Sequence, residues 1–389
     1  MALIPRLATG TSSTGLDIGS SAIKLVKLHR NKDGISLHKA GSVPTPPDSV
    51  KGGVIVDPLA VAQGIRSLLE ALQVDVPTVV AGIAGPTGVV REVPLPAMSD
   101  RQLRKSIQWE ARNYISFPVE DSVVEFQVLE RPTARSGGQM KVMLVAAPRD
   151  MVDSQVETIE LAGLDPAAVE IHPFAAMRGL LSTNGEADNE EGDVAALLGI
   201  GAAYTEITIV KDREFVLSRM IPIAGNAFTE AIQNALDVDA EEANQLKESA
   251  MQVVSSEEER ATLDPSAQQA SRAIEPLLDE LIREVRRSLA YHDYQQQSPE
   301  AAAGELGVNR IMLSGGGAKL PNIAEYFQAQ LGVPVETANV FASRKLQAHG
   351  VNEEYLRSHA PALLVGAGLA LRELLPPAKK RVAKAEGGK

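Results

Sequence analysis

The chain has no cysteine, a single tryptophan, and aromatic residues at only 4%. Without cysteine there is no disulfide framework, no thiol nucleophile and no thiolate metal ligand, which suits a reducing, cytoplasmic home. Nor does any apolar run reach the ~20 residues that span a bilayer. The longest candidate, "PALLVGAGLAL" at 361–371, is far shorter and runs into Arg372-Glu373. The opening "MALIPRLATG" lacks the apolar centre of a signal peptide. Positive charge is also scarce: 38 Lys and Arg stand against 50 Asp and Glu, a net charge of −12. Proteins that bind nucleic-acid backbones carry a basic stripe instead. The histidines (His29, His38, His172, His292, His349 and His359) show no metal-ligand spacing and are expected to be structural or superficial. What remains is a 389-residue chain, 44% apolar and 23% charged, too long for one ordinary core.

The order of its segments is repeated. "GLDIG" leads into "AIKLVKL", a turn with Asp33-Gly34 at its tip follows, and "ISLHKAGSV" returns. Asp57 and Pro58 then open a helix whose apolar face is Ile65, Leu68, Leu69 and Leu72. In the second half "ALLGIG" leads into "TEITIV", "KDRE" turns, "FVLSRMIPI" returns, and a helix carries Phe228, Ile232 and Leu236. Asp17 and its counterpart Gly199 lie 182 residues apart (199 minus 17). Two copies of one supersecondary unit predict a duplicated domain around a cleft. Between them, residues 89–165 read as a small α+β insertion, with a helix opened by Ser99 and a second one over 149–162. Trp109, on the first of these helices, is expected to pack inside the inserted unit.

Three glycine-rich turns could carry chemistry, at 17–22, 199–205 and 314–319. A Gly-Ser turn between strands presents successive backbone N–H groups to an anion. Asp17, at a strand end, could hold a hydrated Mg²⁺, which prefers one carboxylate with waters to an all-protein cage. Gly315, Gly316 and Gly317 would admit a flat ligand to the backbone, with Lys319 over its face.

In these motifs the chain resembles the actin–Hsp70–sugar-kinase superfamily and, within it, the type IV pilus assembly (PilM) family. "GLDIGSSAIKLVKL" is similar to the first phosphate motif, "LLGIGAAYTEITIV" to the second and "LSGGGAKLPNI" to the adenosine motif. "QWEARNYISFPVED" resembles the PilM insertion, "EVRRSLAYH" the helix that meets adenine, and "LLVGAGLALREL" the closing helix. The resemblance implies an α/β fold of duplicated actin-like (ribonuclease H-like) domains around a nucleotide cleft. The first domain would comprise 12–88, 166–190 and 355–375, with 89–165 inserted. The second would comprise 193–236 and 301–345, with a helical subdomain at 237–300 and a disordered basic tail at 376–389.

It implies ATP and Mg²⁺ as cofactors. Gly19, Ser20 and Ser21 would cradle phosphates, Asp17 would hold Mg²⁺ through water, and Lys24 would pin the turn or reach phosphate. Gly201, Ala202 and Thr205 would hold the other side of the phosphate tail. Gly315, Gly316, Gly317 and Lys319 would bracket adenine. Arg286 and Arg287 would reach the base or ribose, or else stand as solvated charges on the long helix. The superfamily has an Asp where this chain has Gly199, so hydrolysis is expected to be weak or absent, because phosphoryl transfer rests on positioning and electrostatics. The resemblance further implies a scaffold of the pilus assembly platform, with other platform and motor components around it. It would dock the N-terminal peptide of a PilN-like membrane protein and sit peripherally on the cytoplasmic face of the inner membrane through that partner. An active ATPase or sugar kinase and an FtsA-like membrane tether are the alternatives. The basic tail lacks an apolar face for insertion and is expected to solubilise.

Overall fold

Two sheets carry the same strand order, and that duplication sets the position of everything else. The computed structural model describes residues 11–375 apart from 33, 132–137, 184–191, 255, 297–306, 343–345 and 349–350. The tip residue Asp33, most of the acidic stretch after 183 and the basic tail therefore lie outside the described residues. In the first sheet, Asp165–Ile171, Thr78–Ile83, Ser12–Ile18, Ala22–Asn31 and Gly34–Pro44 lie in that order, with Leu346–Ala348 on the far edge. In the second, Val335–Thr337, Arg310–Ser314, Val194–Ile200, Thr205–Lys211 and Glu214–Ile221 follow the same pattern. Each central strand runs antiparallel to its hairpin partner and parallel to the strand on its other side.

Alternation along the central strands divides their side chains between two layers. Leu16 and Ile18 face outward onto the helix Pro58–Leu72, which Asp57 caps by accepting from the Ala60 amide at 3.0 Å. Leu198 and Ile200 face the helix Gly225–Leu236 and the long helix Pro265–Gln296, whose Ile274, Leu278, Leu281, Ile282, Val285 and Leu289 are buried there. The opposite faces meet the helix Glu353–Leu371, apolar nearly all round because both sheets cover it. A Cβ on Gly368 would fall 1.8 Å from the Ala175 carbonyl oxygen, so this helix packs backbone against backbone.

The insertion has its own three-stranded antiparallel sheet, Val89–Pro96, Gln139–Pro148 and Ser122–Glu130. Its helix Asp100–Ala111 begins with a reciprocal Ser99–Gln102 capping box and buries Leu103, Ile107 and Ala111. Two sequence expectations change here. The helix Arg149–Leu161 is expected within the insertion, but Met151, Val152 and Ile159 pack into the first domain's core. Trp109 is not in the insertion's core: it is 67% exposed, on the outward side of its helix.

Candidate functional site

The turns at the ends of the central hairpins are built alike. In the first, the Gly19 amide donates to the Ala22 carbonyl at 3.0 Å; in the second, the Gly201 amide donates to the Tyr204 carbonyl at 3.0 Å. The Thr45 hydroxyl fixes the first turn by donating to the Gly19 carbonyl at 2.7 Å. The second is fixed by the first amides of the helix Gly225–Leu236, with Gly225 donating to Gly201 and Asn226 to Ala202. Ser20 and Ser21 are exposed at the first turn, and Gly201 and Ala202 are partly exposed at the second. Thr205 is buried and its hydroxyl donates to the Ile223 carbonyl at 2.6 Å, so it holds the turn in place.

The two hairpins differ in the charges they carry. Asp17 pairs across the strands with Lys24, so both side chains share a face, and Lys24 Nζ lies 2.9 Å from Asp17 Oδ2. On the parallel side Asp17 faces Gly82, where a Cβ would come within 2.8 Å of His172 Nε2. That missing side chain lets His172 reach within 3.3 Å of Asp17 Oδ1. The pair is not aligned as a hydrogen bond, and both atoms are buried without a partner. Burial works to raise the Asp17 pKa, but the Lys24 ammonium and, less strongly, His172 hold it below the ordinary value. Burial keeps His172 below its usual value, against the pull of Asp17. The ion pair thus favours the carboxylate form of Asp17, and burial favours the neutral imidazole of His172.

In the second hairpin the same register pairs Gly199 with Glu206 and, on the parallel side, with Ser314. Glu206 thus occupies the place of Lys24, and no side chain occupies the place of Asp17. Glu206 accepts from the Ser218 hydroxyl at 3.1 Å; burial lifts its pKa to about 7, with that hydrogen bond pulling the other way. It lines a cavity of about 300 Å³ with Ile83–Pro86, Ile171 and Pro173 of the first domain, and with Arg91, Ser116 and Arg219.

Beside the second turn, Lys247 donates to the Thr229 hydroxyl at 2.7 Å and the Gly225 carbonyl at 3.3 Å, and burial lowers its pKa. It stands on a single π-turn, Leu246–Ala250, a local winding that often marks functional positions. At the third turn Gly315 has φ +84°, and a Cβ there would meet the Ile200 carbonyl at 2.3 Å. A Cβ on Gly316 meets nothing within 4 Å. Lys319 is exposed and close enough to His359 to lower its pKa, after the larger effect of burial.

The two arginines of the long helix have protein partners. Arg286 donates to the Gln330 carbonyl, and Arg287, 70% exposed, pairs with Glu284 at 2.6 Å. The sequence reading does not single out Glu206 or Lys247, and it expects His172 to be structural or superficial. Only Glu206 left a signal there: it stands seven residues after Gly199, as Lys24 does after Asp17.

These residues suit a magnesium–nucleotide ligand in one half only. Asp17 Oδ1 is a buried acceptor with no donor, which a hydrated cation satisfies, and Lys24, Lys247 and Lys319 stand beside the three turns. Among the described residues no group of three or more acidic, histidine or cysteine side chains is placed to cage a metal.

A family model described as type IV pilus assembly protein PilM matches residues 15–374. The chain belongs to that family. The solved PilM-PilN type IV pilus biogenesis complex is 30% identical, covers 94% of this chain and 99% of its own, and superposes with a TM-score of 0.77. Cell division protein FtsA of Streptococcus pneumoniae is 26% identical over 83% of this chain and 74% of its own length. FtsA of Pseudomonas aeruginosa is 26% identical over 84% of each. The ethanolamine utilization protein EutJ of Carboxydothermus hydrogenoformans, at 15% identity, covers 95% of this chain and 92% of its own with a TM-score of 0.54, a likeness of fold. The fold is actin-like, as the repeated motifs implied. No helix among the described residues is long and apolar enough to cross a membrane.

Proposed function

We propose that the chain is a nucleotide-binding scaffold of a type IV pilus assembly platform. It holds ATP with Mg²⁺ between its halves, turns it over slowly if at all, and docks the N-terminal peptide of a PilN-like membrane protein. That partner keeps it on the cytoplasmic face of the inner membrane. The observation that carries this reading is the asymmetry of the two hairpins: both phosphate turns are kept, but only one has its carboxylate. The Gly19 and Gly201 amides close their turns, and the backbone amides of Ser20, Ser21 and Ala202 bind phosphate whatever the nearby side chains are. Lys24 adds charge beside the first turn while neutralising Asp17. Asp17 would hold Mg²⁺, which would supply charge neutralisation at the phosphates. With Gly199 opposite, nothing at that position orients an attacking water, so bound ATP fixes the angle between the halves. The partner peptide is assigned to the groove between the first domain and the insertion, the side of the cavity lined by Gly85, Pro86, Gly88–Arg91, Ser116 and Met151, with Glu206 and Ser218–Met220 of the second domain lining the rest.

The deciding experiment incubates the protein with Mg-ATP, desalts it and identifies the retained nucleotide over hours, alongside titration of a PilN-type N-terminal peptide. Retained ATP and a Kd of about 10 μM or tighter are expected. Rapid conversion to ADP with phosphate release puts an ATP-driven cycle in place of the scaffold. No peptide binding by folded protein removes the docking role.

The third turn offers a way to separate binding from folding. Gly316→Ala has open space for its methyl group, so its melting temperature stays within about 2 °C of wild type. Nucleotide affinity falls about tenfold, because the methyl group blocks approach to the backbone. Gly315→Ala drives a Cβ into the Ile200 carbonyl at positive φ and costs about 2 kcal/mol or more. Calorimetry and fluorescent-nucleotide titration read both; equal effects on folding and binding would remove the third turn from the ligand site.

A further inference from the structure

The outward face of the insertion helix is unlike the rest of this acidic chain. Arg101, Lys105, Gln108 and Arg112 follow the i, i+4, i+7, i+11 spacing that puts them in one stripe, with Arg104 and Trp109 beside it. All six are exposed, and the two acids of the helix stand off this face: Asp100 is tied to Arg131, and Glu110 flanks the buried side. Arg112 lies with its guanidinium 4.9 Å from the centre of the Trp109 ring and pairs with Glu120. Arg104 lies over Phe126 at 5.7 Å. Arg101 and Lys105 form no ion pair among the described residues. Four exposed cations thus share the outward side of this helix with an indole that is 67% exposed, on a chain whose net charge is −12.

We propose that this face of the helix Asp100–Ala111 rests on an anionic lipid surface and orients the protein there. The inference rests on the reading of the chain as a scaffold held beside a membrane by its partner. Charge complementarity selects an anionic surface. The exposed indole fits a lipid surface, because tryptophan settles where an apolar layer meets water and cationic side chains can stay at headgroup level. The shape agrees: the face is the convex outside of a helix, and the cavity that suits a peptide opens elsewhere, by Gly85–Arg91 and Ser116. The capping box and the buried Leu103, Ile107 and Ala111 hold the helix ordered without lipid, so contact requires no coupled folding. Each basic side chain near an anionic surface contributes about a fivefold gain in partitioning at moderate salt. Binding by this face alone is therefore weak and salt-sensitive, an addition to a partner rather than a substitute for one.

The test is flotation of the full chain with vesicles of phosphatidylcholine alone or with about one-third phosphatidylglycerol, at low and high salt. Expected are binding to the anionic vesicles only, loss at high salt, a drop of tenfold or more for Arg101→Glu with Lys105→Glu, and about threefold for Trp109→Ala. These side chains are exposed, so thermal melting should match wild type. A full-length variant with Lys379, Lys380, Arg381 and Lys384 changed to Gln should bind as wild type does. The proposal is overturned if wild type does not float at low salt, if the charge-reversed variant floats unchanged, or if only the tail variant loses binding. Loss of binding to an acidic partner protein, with no vesicle binding by wild type, overturns it in favour of a protein contact. The peptide titration on the same samples tests the scaffold reading separately, and its failure beside intact flotation removes the partner while keeping the lipid face.

Discussion

Lys24→Met loses about 3–5 kcal/mol of stability at pH 7, the cost of leaving one member of a buried ion pair alone. Asp17 has a side chain 4% exposed, and its nearest cation is Lys24 at 2.9 Å. His172, at 3.3 Å, is held below its usual pKa by burial and supplies little charge in compensation. Without Lys24, burial is the dominant influence on Asp17 and its folded pKa rises above the unfolded value. The penalty is then full above the raised folded pKa and is relieved as pH falls through it, because protonation neutralises the stranded carboxyl. Asp17→Asn in the Lys24→Met background keeps the shape and removes the charge, so most of the loss returns at pH 7. Urea denaturation of the two variants at pH 5 and pH 7.5 checks this. A single variant as stable as wild type would mean that Lys24 serves only a ligand. A double variant no better than the single would mean that packing, not charge, is responsible.

Elements whose code is local were legible in the sequence. The hairpins could be read because glycine turns and apolar alternation repeat within a few residues, and Asp57-Pro58 placed a helix start that the structure keeps. Contacts carried by distant segments were not. His172 reaches Asp17 only because a parallel strand places Gly82 beside it, and nothing near His172 in the sequence encodes that vacancy. The insertion departs from its sequence reading twice, once through chain order and once through residue type. The helix Arg149–Leu161 follows the inserted strands but packs on the core they interrupt, since its Met151, Val152 and Ile159 complete the layer begun by Ile65 and Leu68. Trp109 was assigned to a core on residue type alone, yet Leu103, Ile107 and Ala111 already form that helix's buried stripe. Arg286 and Arg287 follow Val285, a core position, and helical geometry turns them toward the Gln330 carbonyl and Glu284.

Glu206→Gln, by contrast, stabilises the protein, by up to about 3 kcal/mol at pH 8.5 and by almost nothing at pH 4. The size follows from the shift: burial moves this acid from 4.5 to about 7, and each pKa unit is worth about 1.4 kcal/mol. The sign follows from where the proton sits. Between pH 4.5 and about 7 the folded state keeps a proton that the unfolded chain releases, so stability falls as pH rises through that window. Above it the wild type holds an ionised carboxylate in the cavity, which the amide avoids while keeping the hydrogen bond from Ser218. Melting temperatures of both proteins from pH 4 to pH 8.5 should converge at the acid end and diverge at the alkaline end. Parallel curves would show that Glu206 ionises as freely folded as unfolded. The same proton has a consequence for the cleft. A neutral acid where the other half has Lys24 leaves the second turn open to an anionic phosphate tail, whereas an ionised one repels it. In wild type, nucleotide affinity should therefore weaken as pH rises through about 7, and in Glu206→Gln it should not. A pH-independent affinity in wild type would place the phosphates out of reach of Glu206 and leave its effect on stability untouched.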